Sequence, residues 1–301
     1  MNIVKKALYG LIKKLKFLPP EFYVKIYYEY YSGRKLNLKK PVEFNEKIQW
    51  LKVYYQPAIL TQLVDKYAVH TYIQEKIGTK YLNEILGVYT SFEAIDFNAL
   101  PNKFVLKGAH GSNYNLIVND KSKLDKSHVK KLVNKWLSRN YYYRSGLEWA
   151  YKNVPPRVIA EKFMKEEGKD VLNDYKFYCC NGQPKFIQID IGRGINHSRC
   201  FYDLEWKKMP ITKGKIPMFN DLLEQPNNLD EMINLAITLS NPFPYVRVDF
   251  FSVNGNTVFG EMTFYPADGR GDFNPIEYNK IVGDYITLPK IPEGKKVIDS
   301  I

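Results

Sequence analysis

The stretch Arg247-Val248-Asp249-Phe250-Phe251, followed by Gly260-Glu261-Met262-Thr263-Phe264, decides the fold prediction for this chain. The two runs are joined at Val253-Asn254-Gly255-Asn256, and Asn-Gly between apolar strands predicts a β-hairpin. Alternation divides each strand into two faces. The face predicted to lie in the core carries Val246, Val248, Phe250, Val258, Gly260, Met262 and Phe264. The opposite face carries Arg247, Asp249, Phe251, Phe259, Glu261 and Thr263.

The register of this hairpin determines whether its two carboxylates meet. A two-residue Asn254-Gly255 turn sends Glu261 to the wrong face, whereas an odd-length loop or one bulge places Asp249 opposite Glu261. We predict the odd-length loop or the bulge. Neighbouring carboxylates destabilise a sheet unless a cation neutralises them, and oxygen ligands without His or Cys suit Mg²⁺. The alternative is an exposed hairpin with ordinary surface charges.

Composition indicates a globular protein with an anionic partner. The 301 residues are 45% hydrophobic and 25% charged, which is typical of a chain whose core divides into two or three lobes. The net charge of +12 favours a nucleotide, an acidic polysaccharide, phospholipid headgroups or nucleic acid. The sequence lacks a zinc-finger or RNA-recognition motif, so we do not predict a nucleic-acid partner. Cys179, Cys180 and Cys200 have no disulfide or metal spacing and predict buried, reduced thiols in a cytoplasmic protein.

Residues 1–18 form a basic amphipathic segment. Its apolar run is interrupted by Lys5, Lys6, Lys13, Lys14 and Lys16, which excludes a signal-peptide core or a membrane span in this segment. Helical spacing relates Ile3, Val4, Leu8, Leu11, Ile12, Leu15 and Leu18. Such a helix either lies on an anionic membrane surface or docks on its own domain with a solvated lysine face.

The pattern along the chain predicts helices first, and then hairpins that alternate with helices. Within residues 1–80 we predict helices at Pro20–Tyr31, Asn45–Val53 and Ile59–Ile77. Strands are predicted at Leu82–Val88, Lys103–Lys107, Asn115–Val118, Arg157–Phe163 and Tyr175–Ile191, the last broken at Asn181-Gly182. Further helices are predicted at 123–139 and 228–240. This arrangement is typical of an α+β protein with antiparallel sheets.

Two regions outside the hairpin also carry charges that suit a nucleotide. Lys107 precedes the small-residue loop 108–113, where backbone N–H groups can approach a phosphate and the lysine supplies charge. A plain hairpin loop is the alternative, because the Gly-Lys-Ser/Thr ending of a Walker loop is absent. His110 in this loop either contacts phosphate or caps the loop. Glu161 ends an apolar strand, where it suits an adenine and its ribose or a simple salt bridge, and Lys176 lies on a further strand.

Taken in order, these features resemble the ATP-grasp fold. They are a strand lysine, a small-residue loop, a Glu-Lys hinge, a second strand lysine, Arg-X-Asp and Glu-X-Thr. In closer detail the chain resembles the TupA-like ATP-grasp family, found among capsule, teichuronopeptide and O-antigen biosynthesis genes. The stretches that carry the resemblance are Phe44 to Lys52, Lys107 to Ser112, Ala160 to Phe163, Asp174 to Gly182 and Arg247 to Gly269, within a likeness that extends from Pro41 to Pro289.

The resemblance implies two antiparallel-sheet lobes that clasp ATP, residues 81–165 with the phosphate loop and residues 166–301 with the metal site, preceded by the helical basic region 1–80. It assigns phosphate binding to Lys107, Gly111, Ser112 and Lys176, and the adenine hinge to Glu161, Lys162 and Phe163. It assigns Mg²⁺ to Asp249, Glu261 and Thr263, and it makes Arg247 and Lys176 catalytic. Thr263 stands where many ATP-grasp enzymes have Asn, and Asn113 where the family loop often has Gly.

The function that the resemblance implies is an ATP-grasp ligase that joins a carboxylate to an amine through an acyl phosphate and releases ADP and phosphate. The expected substrates are an amino acid and a sugar acid or amino sugar of a surface glycan, such as capsule polysaccharide. The expected location is the cytoplasm, with peripheral attachment to the inner membrane face. Arg193, His197 and Arg270 are candidates for the acceptor site, since arginine suits a carboxylate.

Three alternatives to the ligase stay open. The first is a glycosyltransferase of a polysaccharide cluster, although the Asp-X-Asp metal motif of many nucleotide-sugar enzymes is absent. The second is an ATP-dependent phosphotransferase that acts on a sugar hydroxyl. The third is a binder of acidic polymers without catalytic activity, which only the net charge supports.

Overall fold

The computed structural model describes residues 3–166, 168 and 171–301. Over these residues the chain forms nine α-helices and twelve β-strands, with the first five helices preceding the first strand. Met1 and Asn2 of the predicted segment 1–18 lie outside the described residues. So do Glu167, Lys169 and Asp170 of the predicted lobe 166–301.

The helices follow the predicted order, with one prediction corrected. They are α1 (Ile3–Ile12), α2 (Pro20–Ser32), α3 (Phe44–Tyr54), α4 (Ile59–Val64), α5 (Val69–Lys76), α6 (Lys126–Leu137), α7 (Tyr141–Arg144), α8 (Leu229–Ser240) and α9 (Tyr278–Asp284). The single helix predicted over Ile59–Ile77 is wrong, because the chain turns between α4 and α5. There the Asp65 carboxylate accepts hydrogen bonds from the backbone N–H groups of Tyr67 and Ala68, at 2.9 and 3.3 Å. Such a side-chain acceptor competes with the helical hydrogen bonds.

The ends of α2 and α3 follow from local sequence. Pro20 occupies the first position of α2, where its missing N–H costs nothing. The helix ends before Gly33, which adopts φ 73° and donates its N–H to the Glu29 carbonyl. Helix α3 begins with a capping box in which Glu43 and Glu46 satisfy each other's backbone N–H groups. These signals fix where the two helices begin and where α2 ends.

The strands form two main antiparallel sheets. The strands are β1 (Ile85–Tyr89), β2 (Phe104–Gly108), β3 (Asn115–Val118), β4 (Val158–Lys162), β5 (Asp174–Cys180), β6 (Gln183–Ile191), β7 (Ser198–Tyr202), β8 (Lys208–Met209), β9 (Thr212–Lys213), β10 (Tyr245–Val253), β11 (Asn256–Thr263) and β12 (Phe273–Asn274). A four-stranded sheet has the order β1-β4-β2-β3, and a six-stranded sheet has the order β11-β10-β5-β6-β7-β8. Strands β9 and β12 pair separately.

Each main sheet buries one apolar face and leaves charged residues on the other. Phe104 and Leu106 of the four-stranded sheet lie in a core cluster with Val133 and Trp136 of α6. Residues of β5, β6 and β10 lie in a second, larger cluster that also contains the apolar side of α8. The charged face of the six-stranded sheet includes Lys176, Asp190 and Asp249, all of which are buried. The sheet itself therefore fixes the positions of these three charged side chains.

The register of the β10–β11 hairpin confirms the predicted bulge. The turn itself has two residues, Asn254 and Gly255, with φ 50° and 79°, as a type I′ turn requires. The register shifts between Asp249 and Phe250, so that Asp249 lies opposite Glu261 and Gly260 is the extra residue. A Cβ on Gly260 would lie 3.0 Å from the Asp249 carbonyl oxygen, which explains why glycine suits the bulge.

The same bulge corrects the predicted faces of two residues. Phe259 pairs with Phe250 on the core face, with ring centroids 6.4 Å apart. Val258 pairs with Phe251 and is only half-buried. The prediction placed Val258 on the core face and Phe259 on the charged face, because it applied simple alternation through the hairpin. The structure exchanges these two faces. One inserted residue reverses the alternation for every position between the bulge and the turn.

Candidate functional site

Asp249 is the centre of the charged face of the six-stranded sheet. Its Oδ1 lies 2.7 Å from Arg247 Nε, and its Oδ2 lies 2.6 Å from Arg247 Nη2 and 2.8 Å from Lys176 Nζ. Strand pairing explains the contact with Lys176, because Asp249 lies directly opposite Lys176. Burial raises the pKa of Asp249, whereas Arg247 and Lys176 favour its charged form. The two cations therefore compensate a carboxylate that water does not reach.

Glu261 and Thr263 complete this group through the same arginine. Arg247 Nη2 lies 3.2 Å from Glu261 Oε1 and 3.1 Å from Thr263 Oγ1. The Thr263 hydroxyl also donates to Glu261 Oε1 at 3.1 Å. Burial works to raise the pKa of Glu261, but Lys66, Arg247 and Lys176 together lower it to about 2. The Glu261 side chain keeps 37% of its surface exposed, so this anion is open to a ligand.

The donor set of Asp249, Glu261 and Thr263 fits Mg²⁺. It consists of two carboxylates and a hydroxyl, and magnesium commonly binds one or two carboxylates together with phosphate oxygens and water. Among the described residues, no group of three or more His, Cys, Asp and Glu side chains is arranged to hold a metal. A cation held by Asp249, Glu261 and Thr263 would therefore need further oxygen ligands, such as those of phosphate or water.

Lys66 links the charged face to the small-residue loop, and this residue was not among the predicted site residues. Its Nζ lies 3.6 Å from Glu261 Oε2 and 2.9 Å from the Gly111 carbonyl oxygen. Its backbone N–H also donates to the Ala109 carbonyl at 3.1 Å. Lys66 lies in the turn between α4 and α5, inside the stretch that was predicted as one helix. Nothing in the local pattern distinguishes it from a surface lysine.

The loop between β2 and β3 packs against the protein interior. Gly111 is buried, and a Cβ there would lie 2.8 Å from the Tyr114 ring and 2.9 Å from the Tyr141 ring, so these two rings can pack this closely only against glycine. His110 is buried, and its Nε2 lies 2.8 Å from the Trp136 carbonyl oxygen. His110 therefore caps the loop from the protein side, and of its two predicted roles the structure supports this one. Ser112 is half-buried.

Lys107 and Glu161 form an ion pair on the four-stranded sheet, although the sequence analysis gave them different roles. Lys107 Nζ lies 2.7 Å from Glu161 Oε2, and Asn83 Nδ2 lies 3.3 Å from the same oxygen. Lys162 and Phe163 line a neighbouring cavity of about 530 Å³ with Leu86, Leu100 and Lys103. Neither Lys107 nor Glu161 lines this cavity.

The three candidate acceptor residues divide into two places. Arg193 Nη1 lies 2.7 Å from Asp174 Oδ2, and His197 Nε2 lies 3.3 Å from Asp190 Oδ1. Both are at one end of the charged face of the six-stranded sheet. Arg270 instead lies 4.1 Å from the centre of the Tyr31 ring of α2. The structure therefore separates Arg270 from the other two.

Buried aspartates extend the charged face towards β6 and β7. Asp174 pairs with Lys176, and Asp190 Oδ1 lies 2.6 Å from Arg199 Nε. Burial alone would raise the pKa of Asp190, but Arg199 and the more distant Lys176 lower it to about 2. The face therefore carries charges of both signs, all within three strands of Asp249. Such a surface suits a ligand with several charged groups.

The chain has an α+β fold with two main antiparallel sheets, and these sheets carry lysines, an arginine and carboxylates on their charged faces. This combination is expected of an ATP-grasp protein. The chain matches the family described as TupA-like ATPgrasp over residues 46–287. It belongs to the TupA-like ATP-grasp family. This membership confirms the predicted family and fold class.

Several solved structures are similar to this chain at low identity. The D-alanine–D-alanine ligase from Bacillus anthracis is 16% identical, with a TM-score of 0.43, over 68% of this chain and 59% of that chain. The Helicobacter pylori D-alanine–D-alanine ligase is 17% identical, with a TM-score of 0.43, over 83% and 68%. A RimK domain ATP-grasp protein from Sphaerobacter thermophilus is 11% identical, with a TM-score of 0.42, over 76% and 69%. At these TM-scores none of them transfers a residue role to this chain. No protein of curated function matches it.

Proposed function

We propose that this chain joins a carboxylate to an amine at the expense of ATP, with an acyl phosphate as the intermediate. The observation that carries the proposal is the convergence at Glu261. Lys66 connects this carboxylate to the Gly111 carbonyl of the small-residue loop, and Arg247 connects it to Asp249. A loop that suits phosphate therefore lies beside carboxylates that suit a hard cation.

The residues divide the work of holding Mg-ATP. Asp249 and Glu261, with Thr263, would hold Mg²⁺, which when bound supplies positive charge to the phosphate oxygens. Lys107 and Lys176, with the backbone at Gly111 and Ser112, would bind phosphates. Glu161 with Lys162 and Phe163 would bind the adenosine end. The division into a helical region 1–80 and lobes 81–165 and 166–301 belongs to the same proposal.

The reaction has two transfers. The γ-phosphoryl group moves from ATP to an oxygen of the substrate carboxylate, and ADP leaves. The amine nitrogen then attacks the acyl carbon, the carbon–oxygen bond to phosphate breaks, and the amide forms as the nitrogen loses a proton. Arg247 faces the phosphoryl group in this arrangement, where its fixed charge would stabilise the charge that develops on the phosphoryl oxygens.

The proposed substrates are an amino acid and a sugar acid or amino sugar that enters a surface polysaccharide such as capsule. The net charge of +12 suits an acidic glycan, and Arg193 at the end of the charged face suits a carboxylate. We place the reaction in the cytoplasm, since the three cysteines are free and buried. We also place the chain at the inner membrane face, through the segment 1–18.

Thermal unfolding with and without Mg-ATP tests the ATP site. A ligand at about a hundred times its Kd stabilises the folded state by roughly 2.7 kcal/mol. We expect a magnesium-dependent rise in Tm for the wild type, a smaller rise for Glu261→Gln, and an unchanged rise for the exposed control Glu293→Gln. Equal rises in all three proteins would contradict the role of Glu261.

Product analysis then separates the ligase from its alternatives. Amide formation together with ADP release, on addition of an amino acid and a sugar acid, supports the ligase. ADP release without an amide would indicate transfer to a hydroxyl. A rise in Tm with a nucleotide sugar and none with ATP would indicate a glycosyltransferase.

A further inference from the structure

Helix α1 docks on the protein through its polar side. Lys5 Nζ lies 2.5 Å from Glu29 Oε1 of α2, and the Tyr9 hydroxyl lies 3.3 Å from Glu29 Oε2. Lys13 Nζ lies 3.8 Å from the centre of the Tyr30 ring. An ordinary surface helix docks through its apolar side and leaves its polar side in water. The docked alternative predicted from the sequence also left the lysine face in water. Helix α1 has the opposite orientation.

The apolar side of α1 faces outward. Val4, Leu8 and Leu11 are exposed by 78%, 53% and 64%, and their spacing of four and three residues places them on one side of the helix. Leu15 and Phe17, in the turn that follows, are exposed by 41% and 81%. We call these five residues the outer face of α1. Five large apolar side chains in one short segment form a patch that usually marks an interaction surface.

Lysines accompany the outer face. Lys6 and Lys14 are exposed within the same segment, and the whole chain carries a net charge of +12. A row of leucine, valine and phenylalanine beside lysines suits an anionic bilayer, where the apolar groups enter the acyl boundary and the lysines reach lipid phosphates. No helix in the described part of the chain is both long and apolar enough to cross a membrane.

We infer that the outer face of α1 inserts into the surface of an anionic bilayer, with Lys6 and Lys14 at the headgroups and α2 connecting the inserted helix to the rest of the chain. The inference rests on the location given in the proposed function, and it does not depend on the ligase reaction. Charge complementarity favours lipid over a second copy of this chain, since two copies would bring their lysines together.

Vesicle flotation tests the inference on the full chain. We expect the wild type to float with vesicles of phosphatidylglycerol and phosphatidylcholine more than with phosphatidylcholine alone. Each leucine that the Leu8→Ser/Leu11→Ser variant removes should weaken partitioning by about tenfold, as expected for a leucine that leaves an apolar environment. The matched control is Leu222→Ser, because Leu222 is 79% exposed outside this segment, and it should float like the wild type.

Two further variants keep the test independent of any folding defect in the double leucine variant. Phe17→Ser should weaken flotation with anionic vesicles, and Lys6→Glu/Lys14→Glu should remove the preference for them. A wild type that stays in solution with anionic vesicles overturns the inference. So does a Leu8→Ser/Leu11→Ser protein that floats as well as the wild type. A concentration-dependent dimer that these leucine changes abolish, without flotation of the wild type, assigns the outer face to a second copy and also overturns it.

The Mg-ATP shift in Tm, measured on the same preparations, separates the two proposals. All these variants should keep the wild-type shift, because none of the changed residues belongs to the proposed ATP site. If the wild type does not float but keeps its Mg-ATP shift in Tm, only the membrane inference is contradicted. Flotation without any ATP shift in the wild type would instead remove the proposed function.

Discussion

The two main sheets place their charges in contrasting ways. On the six-stranded sheet, Lys176 is buried between Asp174 and Asp249, and the three side chains expose 5%, 3% and 2% of their surfaces. On the four-stranded sheet, Lys107 pairs with Glu161, and the Lys107 side chain stays 24% exposed. Both lysines are assigned to phosphate in the proposed function, yet only one of them sits inside a closed network of charges.

This difference separates stability from ligand binding. Removal of one member of a buried ion pair leaves an uncompensated charge, which is strongly destabilising. A more exposed pair contributes less, because water and other donors replace the lost partner. We therefore expect changes on the six-stranded sheet to affect both folding and ATP binding, and changes on the four-stranded sheet to affect mainly ATP binding.

The largest expected effect is that of Lys176→Met. Methionine keeps the apolar stem but leaves Asp174 and Asp249 without the ammonium group that contacts both. We expect a loss of roughly 3–5 kcal/mol in the free energy of unfolding, measured by urea denaturation. The control Lys185→Met changes an exposed lysine on the neighbouring strand β6, and it should stay within about 0.5 kcal/mol of the wild type. Similar losses in the two variants would contradict the stabilising role of the buried contacts of Lys176.

A second prediction concerns pH and Asp190. Its folded pKa of about 2 lies below an unfolded value of about 3.9. The lowered pKa stabilises the fold above the unfolded value, and this contribution is lost as pH falls towards the folded value. We expect the group to contribute about 2–3 kcal/mol near neutral pH. In urea unfolding from about pH 5 down to about pH 2, Asp190→Asn should therefore lose less stability than the wild type.

The control for this pH series is Asp221→Asn, which changes an exposed aspartate. Its acid dependence should follow that of the wild type. If Asp190→Asn also follows the wild type, the Arg199–Asp190 contact does not stabilise the charged form. Asp190 would then contribute no more than an exposed carboxylate.

The sequence predicts the six-stranded sheet well where period and turn signals act locally. Asn254-Gly255 determines a hairpin, and the need to bring Asp249 opposite Glu261 predicts its bulge. The position of that bulge was not predicted, because a bulge next to Asp249 and an odd-length loop both place Asp249 opposite Glu261. Only the structure locates it at Gly260, which is why the predicted faces of Val258 and Phe259 were wrong.

Contacts between distant segments were beyond local reasoning. The family resemblance supplied the residues of the loop and hinge, but it did not indicate that Lys107 and Glu161 pair with each other. Lys66 is 45 residues from Gly111, and no periodic pattern links them. The outer face of α1 was predicted as an amphipathic helix, whereas its direction depends on Glu29 and Tyr30 of α2. Those partners become apparent only when the two helices pack together.

The smallest expected effect on stability is that of Lys107→Met, and it is the closest counterpart of Lys176→Met. Glu161 would keep its contact with Asn83 Nδ2 at 3.3 Å. The loss in unfolding free energy should therefore be about 1–2 kcal/mol, between the scale of an exposed ion pair and that of a buried hydrogen bond to a charged group. ATP binding should weaken about tenfold or more, since a lysine–phosphate contact is charge-assisted.

Lys107→Arg separates the two roles of this lysine. Arginine keeps the positive charge and can still reach Glu161, so stability should return close to that of the wild type, as measured by urea denaturation. The Mg-ATP shift in Tm should recover only in part, because a planar guanidinium does not present its charge as a compact ammonium does. If Lys107→Met instead costs as much stability as Lys176→Met while the Mg-ATP shift is unchanged, Lys107 serves the fold through Glu161. The phosphate role would then pass to Lys66, whose Nζ contacts the Gly111 carbonyl oxygen of the loop.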